Sequence, residues 1–238
     1  MRPRPLAAAA AFAFFPLVSA FAGTLKGRLT STSADANFEG YVIWIRDGDK
    51  LPPKSAEPKI LSMNQVNKGF TPSVLAVRRG DGVMFENLDK VFHNVFSLDK
   101  RIAFDLGLFK GPKHFAADLK TEIHDRNPDF KTRRFDKEGK FQIFCNMHPN
   151  MMGTIYVFNH GYFTQADKDG VFELPTPASG SVQLGIDGPR LAAIKTVPVK
   201  LGGDSPMTIA LDLAHGPIIA AHTRKDGEEY ESEGGNYR

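Results

Sequence analysis

Cysteine is almost absent from this 238-residue chain: Cys145 is the sole one. An intramolecular disulfide is therefore excluded. An excess of one charge is also lacking. The sequence carries 30 Lys and Arg against 27 Asp and Glu. Without Arg2 and Arg4, which belong to a separate N-terminal stretch, the two signs differ by about one charge. Such a balance gives no case for nucleic acid or acidic lipid as a partner. The pairs Arg78-Arg79 and Arg133-Arg134 are two-residue clusters and read as solvated strand faces. A long hydrophobic run is missing too. Leu6 to Val18 is apolar but falls short of the ~20 residues that span a bilayer, and no later stretch does better.

What the N-terminus has instead is the layout of an export signal. Arg2 and Arg4 precede the apolar run, and Ser19-Ala20-Phe21-Ala22 places small residues at 20 and 22 in an A-x-A arrangement. Residues 1–22 are read as a cleavable signal peptide, with the mature chain starting near Gly23 in the periplasm. No cysteine lies near that point, so no lipid or membrane anchor is expected. A single thiol in an oxidising compartment is a liability unless it is buried or metal-bound. The residues around Cys145 decide between those two readings.

Past residue 23 strand signals dominate. Leu25–Leu29 and Tyr41–Ile45 are short β-type runs, and residues 48–58 are a Pro-rich linker. Runs follow at Ile60–Val66, Ser73–Arg78, Val83–Asn87, His93–Leu98, Arg101–Leu108, Phe141–Cys145 and Thr154–Phe158, with Arg79-Gly80-Asp81-Gly82 as a turn. Residues 112–134 break this rhythm as a surface excursion, with a short helix expected over Phe115–His124 and a return toward a strand over Asp129–Arg134. Asp167-Lys168-Asp169-Gly170 is a hairpin turn between Tyr162–Gln165 and Val171–Leu174. It lacks the final acidic ligand of a calcium loop. Pro175-Thr176-Pro177 reads as a break before Ser181–Ile186, and Thr208–Leu213 is the last run. From His215 the chain turns polar and rich in Glu and Gly, the composition of a mobile tail. The fold class is all-β, a sandwich architecture.

The chemistry concentrates in Phe144-Cys145-Asn146-Met147-His148-Pro149-Asn150-Met151. Cys145 ends a strand, His148 follows three residues later and Met151 three later again, so one tight loop can bring a thiolate, an imidazole and a thioether around one ion. Pro149 stiffens that loop. His93, in the strand-like Val91-Phe92-His93-Asn94-Val95-Phe96, supplies a second imidazole from across the sheet. Two imidazoles, a thiolate and a weak thioether suit copper, which cycles between a soft Cu(I) and a harder Cu(II). Met152 directly follows Met151 and is the alternative thioether if the loop relaxes by one residue. His114 and His124 in the excursion, His160, His215 and His222 read as loop or surface residues, with His114 and His124 together the one conceivable accessory metal site.

The C-x-x-H-x-x-M loop with an upstream His-Asn-Val resembles the cupredoxins, and its short spacing is that of amicyanin rather than plastocyanin. The likeness runs over residues 58–158 and includes Gly69-Phe70-Thr71-Pro72, the Arg79-Gly80-Asp81 turn, Val83-Met84-Phe85-Glu86-Asn87 and Gly139-Lys140-Phe141. The resemblance implies a Greek-key β-sandwich holding one type 1 copper ion. His93, Cys145 and His148 would be its equatorial ligands and Met151 its axial one. It further implies that Asn94 braces the ligand loops and that Met147 lines an apolar rim beside the exposed histidine edge. The strands at 23–48 and 160–213 resemble a carboxypeptidase regulatory-like domain, carried by Thr24-Leu25-Lys26-Gly27-Arg28-Leu29-Thr30 and the 163–174 hairpin. The cupredoxin unit would be inserted in that domain, a layout similar to methylamine-utilisation-type periplasmic proteins, with 214–238 as a flexible tail.

The function so implied is electron transfer without enzymatic activity. A monomer would exchange single electrons with a redox protein such as a c-type cytochrome or a periplasmic dehydrogenase. A copper protein for storage, delivery or sensing is the rival, though it would expose several Met or His ligands in flexible tracts. A copper oxidase or reductase would need a further copper site, and no convincing histidine pair for one is present.

Overall fold

A computed structural model describes residues 22–51, 57–111, 113–115, 122–124, 130–203, 206–216 and 222–230. The signal peptide expected over 1–22 lies outside them except for Ala22, as do residues 52–56 of the Pro-rich linker. Among the described residues the only helical piece is the 3₁₀ turn Gly48–Lys50, and no helix is long and apolar enough to cross a membrane. The protein is all-β.

The chain opens with β1 (Ala22–Thr30) and β2 (Val42–Ile45). A run of short strands follows: β3 (Ile60–Ser62), β4 (Asn64–Val66), β5 (Gly69–Thr71), β6 (Val74–Arg78), β7 (Gly82–Glu86), β8 (His93–Ser97) and β9 (Phe104–Phe109). Next come β10 (Lys113–Phe115), β11 (Glu122–His124), β12 (Phe130–Arg134), β13 (Gly139–Phe144) and β14 (Met152–Phe158). The last group is β15 (Phe163–Gln165), β16 (Val171–Pro177), β17 (Gly180–Asp187), β18 (Lys195–Leu201) and β19 (Met207–Ala210).

Two layers form from residues 58–158. One sheet has the order β6-β14-β13-β8-β9 and the other β12-β7-β3. Between them lies a core to which strand alternation assigns one face of each strand. Leu75 and Val77, Val83 and Phe85, Phe141 and Ile143, and Ile155 and Val157 all point into it. The opposite face of β6 and β14 is apolar as well. Val74, Ala76, Tyr156 and Phe158 form a separate buried cluster with Val42, Trp44 and Phe163. β6 and β14 are thus strands covered on both faces.

The cover is the second unit. The strands that flank residues 58–158 pair with one another, as β16-β1-β19 and β15-β2-β17-β18. Between these sheets Leu29, Tyr41, Ile43, Leu174, Leu184 and Ile186 make their own core. Gln165 ties the units together at the open edge of β6, its Oε1 accepting from Ala76 N (2.9 Å) and its Nε2 donating to Val74 O (3.1 Å). Lys140 adds an ion pair to the buried Asp187 across the same junction (2.9 Å).

Several expectations change. The helix expected over Phe115–His124 is replaced at its two ends by β10 and β11, which pair antiparallel with Lys113 opposite His124 and His114 opposite Ile123. Pro175-Thr176-Pro177 does not break the chain but completes β16, pairing with Ala22, Gly23 and Thr24. β16 is an edge strand, where a proline's missing N–H leaves no ladder bond unmade. The same reason admits Pro198 into β18, an edge strand absent from the expected set. Ile60–Val66 divides at the fully buried Met63, since β3 pairs with β7 and β4 with β5.

Candidate metal centre

Three elements deliver the site to one end of the sandwich formed by residues 58–158, the metal unit if the site holds an ion. β8 begins at His93, β13 ends one residue before Cys145, and the turn between β13 and β14 carries His148. Cys145 lies on the inward face with Ile143, and its backbone N–H donates to Met151 O (3.1 Å). Met151 N donates in turn to His148 O (3.0 Å), so the seven-residue loop is closed by its own backbone.

His93, Cys145 and His148 meet. His93 Nδ1 stands 3.1 Å from His148 Nδ1, and Cys145 Sγ lies 3.8 Å and 3.7 Å from those two nitrogens. The centre of a triangle with these edges is about 2.1 Å from every corner, the length of a metal–imidazole bond and close to that of a metal–thiolate bond. The angles there would be roughly 98° between the nitrogens and 130° from each to sulfur, an arrangement trigonal in the plane. The donor set and the spacing both fit a transition-metal ion with a preference for nitrogen and sulfur.

The fourth expected ligand, Met151, is fully buried in the same apolar cluster as Cys145. Met152 turns the other way. It pairs with Phe144 in the ladder, and its sulfur accepts from Gln142 Nε2 (3.7 Å) on that opposite face.

Asp89 went unnoticed in the sequence, yet it fixes the site. Its Oδ2 lies 2.7 Å from His93 Nε2, and both residues are sequestered, with side-chain exposures of 0% for His93 and 13% for Asp89. A carboxylate can only accept, so His93 holds its proton on Nε2 and presents a lone pair at Nδ1. Asp89 is itself held by Asn67 N (2.6 Å) and Lys68 N (2.8 Å), two residues in the left-handed region at φ 53° and 58°. The chain at Gly111 passes directly beneath this turn. A Cβ there would lie 1.6 Å from Asp89 O, so only glycine fits. An aspartate four residues before a histidine was the signal available, but strand-like sequence gives that spacing no meaning.

Electrostatics leaves the two imidazoles suited to a cation. Burial pushes His93 below its ordinary value despite the upward pull of Asp89. His148 is pushed down to about 4, by burial first and then by the charges of His93 and Lys68. Both rings are therefore neutral at neutral pH. Burial raises the Cys145 thiol, while the backbone N–H groups of Asn94, Met147 and His148 pull it back. Asn94 also braces the loop, its Oδ1 accepting from Asn146 N (2.6 Å). Beside His148, Met147 is 39% exposed.

The remaining histidines separate. His215 is exposed. His160 is buried rather than on the surface, with its Nδ1 accepting from Tyr162 N (3.2 Å). The side chains of His114 and His124 lie outside the described residues. His222, expected in a mobile tail, stacks on Phe144 with ring centres 4.0 Å apart. Residues 222–230 are packed against the metal loop, and 231–238 lie outside the described residues.

No family model and no curated protein matches the chain. Among solved structures, similar ones include a cupredoxin, amicyanin variants and a copper-containing nitrite reductase. A purple cupredoxin from Nitrosopumilus maritimus is 20% identical, over 42% of this chain and 99% of its own, with a TM-score of 0.30. An amicyanin variant in its reduced state is 19% identical over 48% of this chain and 97% of its own, also at 0.30. A copper-containing nitrite reductase from Thermus scotoductus SA-01 is 21% identical over 45% of this chain but only 24% of its own, at 0.32. At such TM-scores these likenesses carry no weight against the chain's own geometry.

Proposed function

We propose that the chain is a periplasmic electron carrier that binds one type 1 copper ion through His93 Nδ1, Cys145 Sγ, His148 Nδ1 and, axially, Met151. The observation that carries this reading is the triangle of Nδ1, Nδ1 and Sγ, whose centre stands about 2.1 Å from each. Copper supplies a one-electron couple, and a trigonal N₂S set with a weak thioether suits both of its oxidation states. The protein's own share is orientation and exclusion of water. Asp89 fixes the His93 tautomer, the Cys145–Met151 backbone bond sets the loop, and complete burial of His93, Cys145 and Met151 keeps solvent from three of the four donors.

Met151 is preferred over Met152 because it shares the inward face with Cys145, whereas Met152 points to the face of Gln142. The half-buried His148, with the exposed Met147 beside it, is the side offered to a redox partner such as a c-type cytochrome or a periplasmic dehydrogenase. A buried, rigidly supported donor set speaks against storage or delivery, which needs ligands that open readily. No catalytic activity is assigned.

Loading the purified protein with Cu(II) tests this. An intense visible thiolate-to-copper band is expected, bleached reversibly by a mild reductant and lost in Cys145→Ser. A colourless complex, or a band that survives the substitution, sinks the assignment. Irreversible loss of copper on reduction would favour delivery.

A further inference from the structure

The outward face of the ligand strands is not open. The chain leaves the second unit after Leu211 N donates to Thr30 O (2.7 Å) and Ala214 N to Arg190 O (3.0 Å), and residues 222–230 lie on the metal unit instead. Three anchors hold them there. The Tyr230 hydroxyl donates to the carbonyl of Cys145 (2.9 Å). His222 lies flat on Phe144, the residue before that cysteine, and meets the Tyr230 ring edge-on at 5.3 Å. Lys225 joins a closed circuit of hydrogen bonds: its N–H donates to Asn146 Oδ1 (2.9 Å), Asn146 N to Asn94 Oδ1 (2.6 Å), Asn94 Nδ2 to Asp105 Oδ1 (3.4 Å), and Lys225 Nζ to Asp105 Oδ2 (2.6 Å). The segment is shaped for this by its own turn, with Gly227 N donating to Arg224 O and Arg224 N to Glu228 O (2.9 and 2.8 Å).

We propose that this strap from the second unit is part of the metal centre, with Tyr230 and Lys225 as positioning residues for the Cys145–Asn146 segment. The proposal rests on the copper reading above. Its contacts fall on Cys145 and on the residues either side of it, Phe144 and Asn146, and reach Asn94, the residue after His93, through Asn146 and Asp105. The circuit therefore links the ligand strand, the ligand loop, β9 and the strap in one loop of bonds, and the Tyr230 bond lands on the ligand residue itself. Opening the loop to release a metal ion requires parting these bonds. A donor on the Cys145 carbonyl also draws electron density from the ligand residue and so favours the reduced, more electron-rich state.

The test compares full-length wild type, Tyr230→Phe, which keeps the ring, and Tyr230→Phe with Lys225→Met. Amide exchange over residues 145–151 is followed in the metal-free proteins. Exchange is expected about fivefold faster in the single variant, the worth of one hydrogen bond, and roughly 25-fold faster in the double. With Cu(I) bound, transfer to a bicinchoninate chelator should accelerate by similar factors. The equilibrium with a fixed redox mediator should move a few-fold toward the oxidised form. Unchanged exchange, release and potential in both variants overturns the proposal. So does a lower melting temperature with those three unaltered, since that is the mark of a purely structural contact. If wild type forms no coloured complex, the copper reading fails, and the metal-free exchange alone then decides whether the strap clamps the loop.

Discussion

Replacing Asp89 by Asn tests whether a carboxylate organises the donor set. The substitution keeps the size of the side chain but removes its charge and one acceptor oxygen. In the protein that carboxylate takes three donors: His93 Nε2 at 2.7 Å, Asn67 N at 2.6 Å and Lys68 N at 2.8 Å. An amide oxygen can serve at most two of them, and its NH₂ group must face the third. A hydrogen bond to a charged group contributes about 1.5–3 kcal/mol; His93 Nε2 and Lys68 N share Oδ2, so an amide oxygen there keeps those two, uncharged, and the bond from Asn67 N to Oδ1 is lost. The metal-free protein should lose about 2–3 kcal/mol, read as a lower urea midpoint with an unchanged slope. Copper affinity, measured by chelator competition at pH 7.5, should fall tenfold to a hundredfold, the usual effect of removing a partner that orients a ligand. The potential should rise, because a negative charge near the ion favours its more positive state. Wild-type affinity together with a wild-type midpoint would refute the role given to Asp89.

Gly111→Ala should cost about 3 kcal/mol by the same midpoint, because its Cβ meets the backbone of the Asp89 turn and no side chain can yield. A variant of wild-type stability would refute the close crossing of Gly111 and the Asp89 turn. Gln165→Ala removes both bonds to the open edge of β6 and should destabilise by about 2 kcal/mol, with Gln165→Glu intermediate since it keeps only the bond from Ala76 N. Equal losses for the two variants would count against that account. The metal-free protein should also weaken between pH 6.5 and about 4. There the unfolded chain protonates His148 while the folded one, at about 4, does not, so stability rises with pH across that window. The ring is only half-buried, so solvent screening leaves about 1 kcal/mol of this, and His148→Gln should flatten the slope.

Most strands and two of the three clustered donors, Cys145 and His148, were legible because each rests on a short-range rule. Alternation placed Ile143 and Cys145 inward, and a loop of fixed spacing carried His148 to the thiol. His93 was legible only as a strand histidine beside an asparagine. Its meeting with Cys145 depends on β13 and β8 becoming neighbours, which no local pattern encodes. Asp89 and Gly111 were invisible for the same reason, since their meaning is a crossing of two loops distant in sequence. Composition misled at the strap. Residues 222–230 are polar enough to look unstructured, yet His222, Lys225 and Tyr230 each find a specific partner on a surface that another part of the chain provides. The prolines of β16 and β18 misled because a proline's effect differs between an edge and a centre strand.

The placement of the metal unit inside the second unit bears on the order in which the protein can be built. Leu25 of β1 pairs with Leu174 of β16, and Ile43 of β2 with Ile186 of β17, so neither pair can form until the whole of residues 58–158 lies between them. Closing so long a stretch of unfolded chain is entropically unfavourable, and it becomes cheaper once that stretch has collapsed to a body whose two ends are already near each other. In the metal unit β14, the last strand, runs beside β6, near its start. Folding should therefore proceed from the inside outward. The sandwich of residues 58–158 closes first and acts as the template on which the flanking strands find each other, and the strap reaches the Cys145–Met151 loop last.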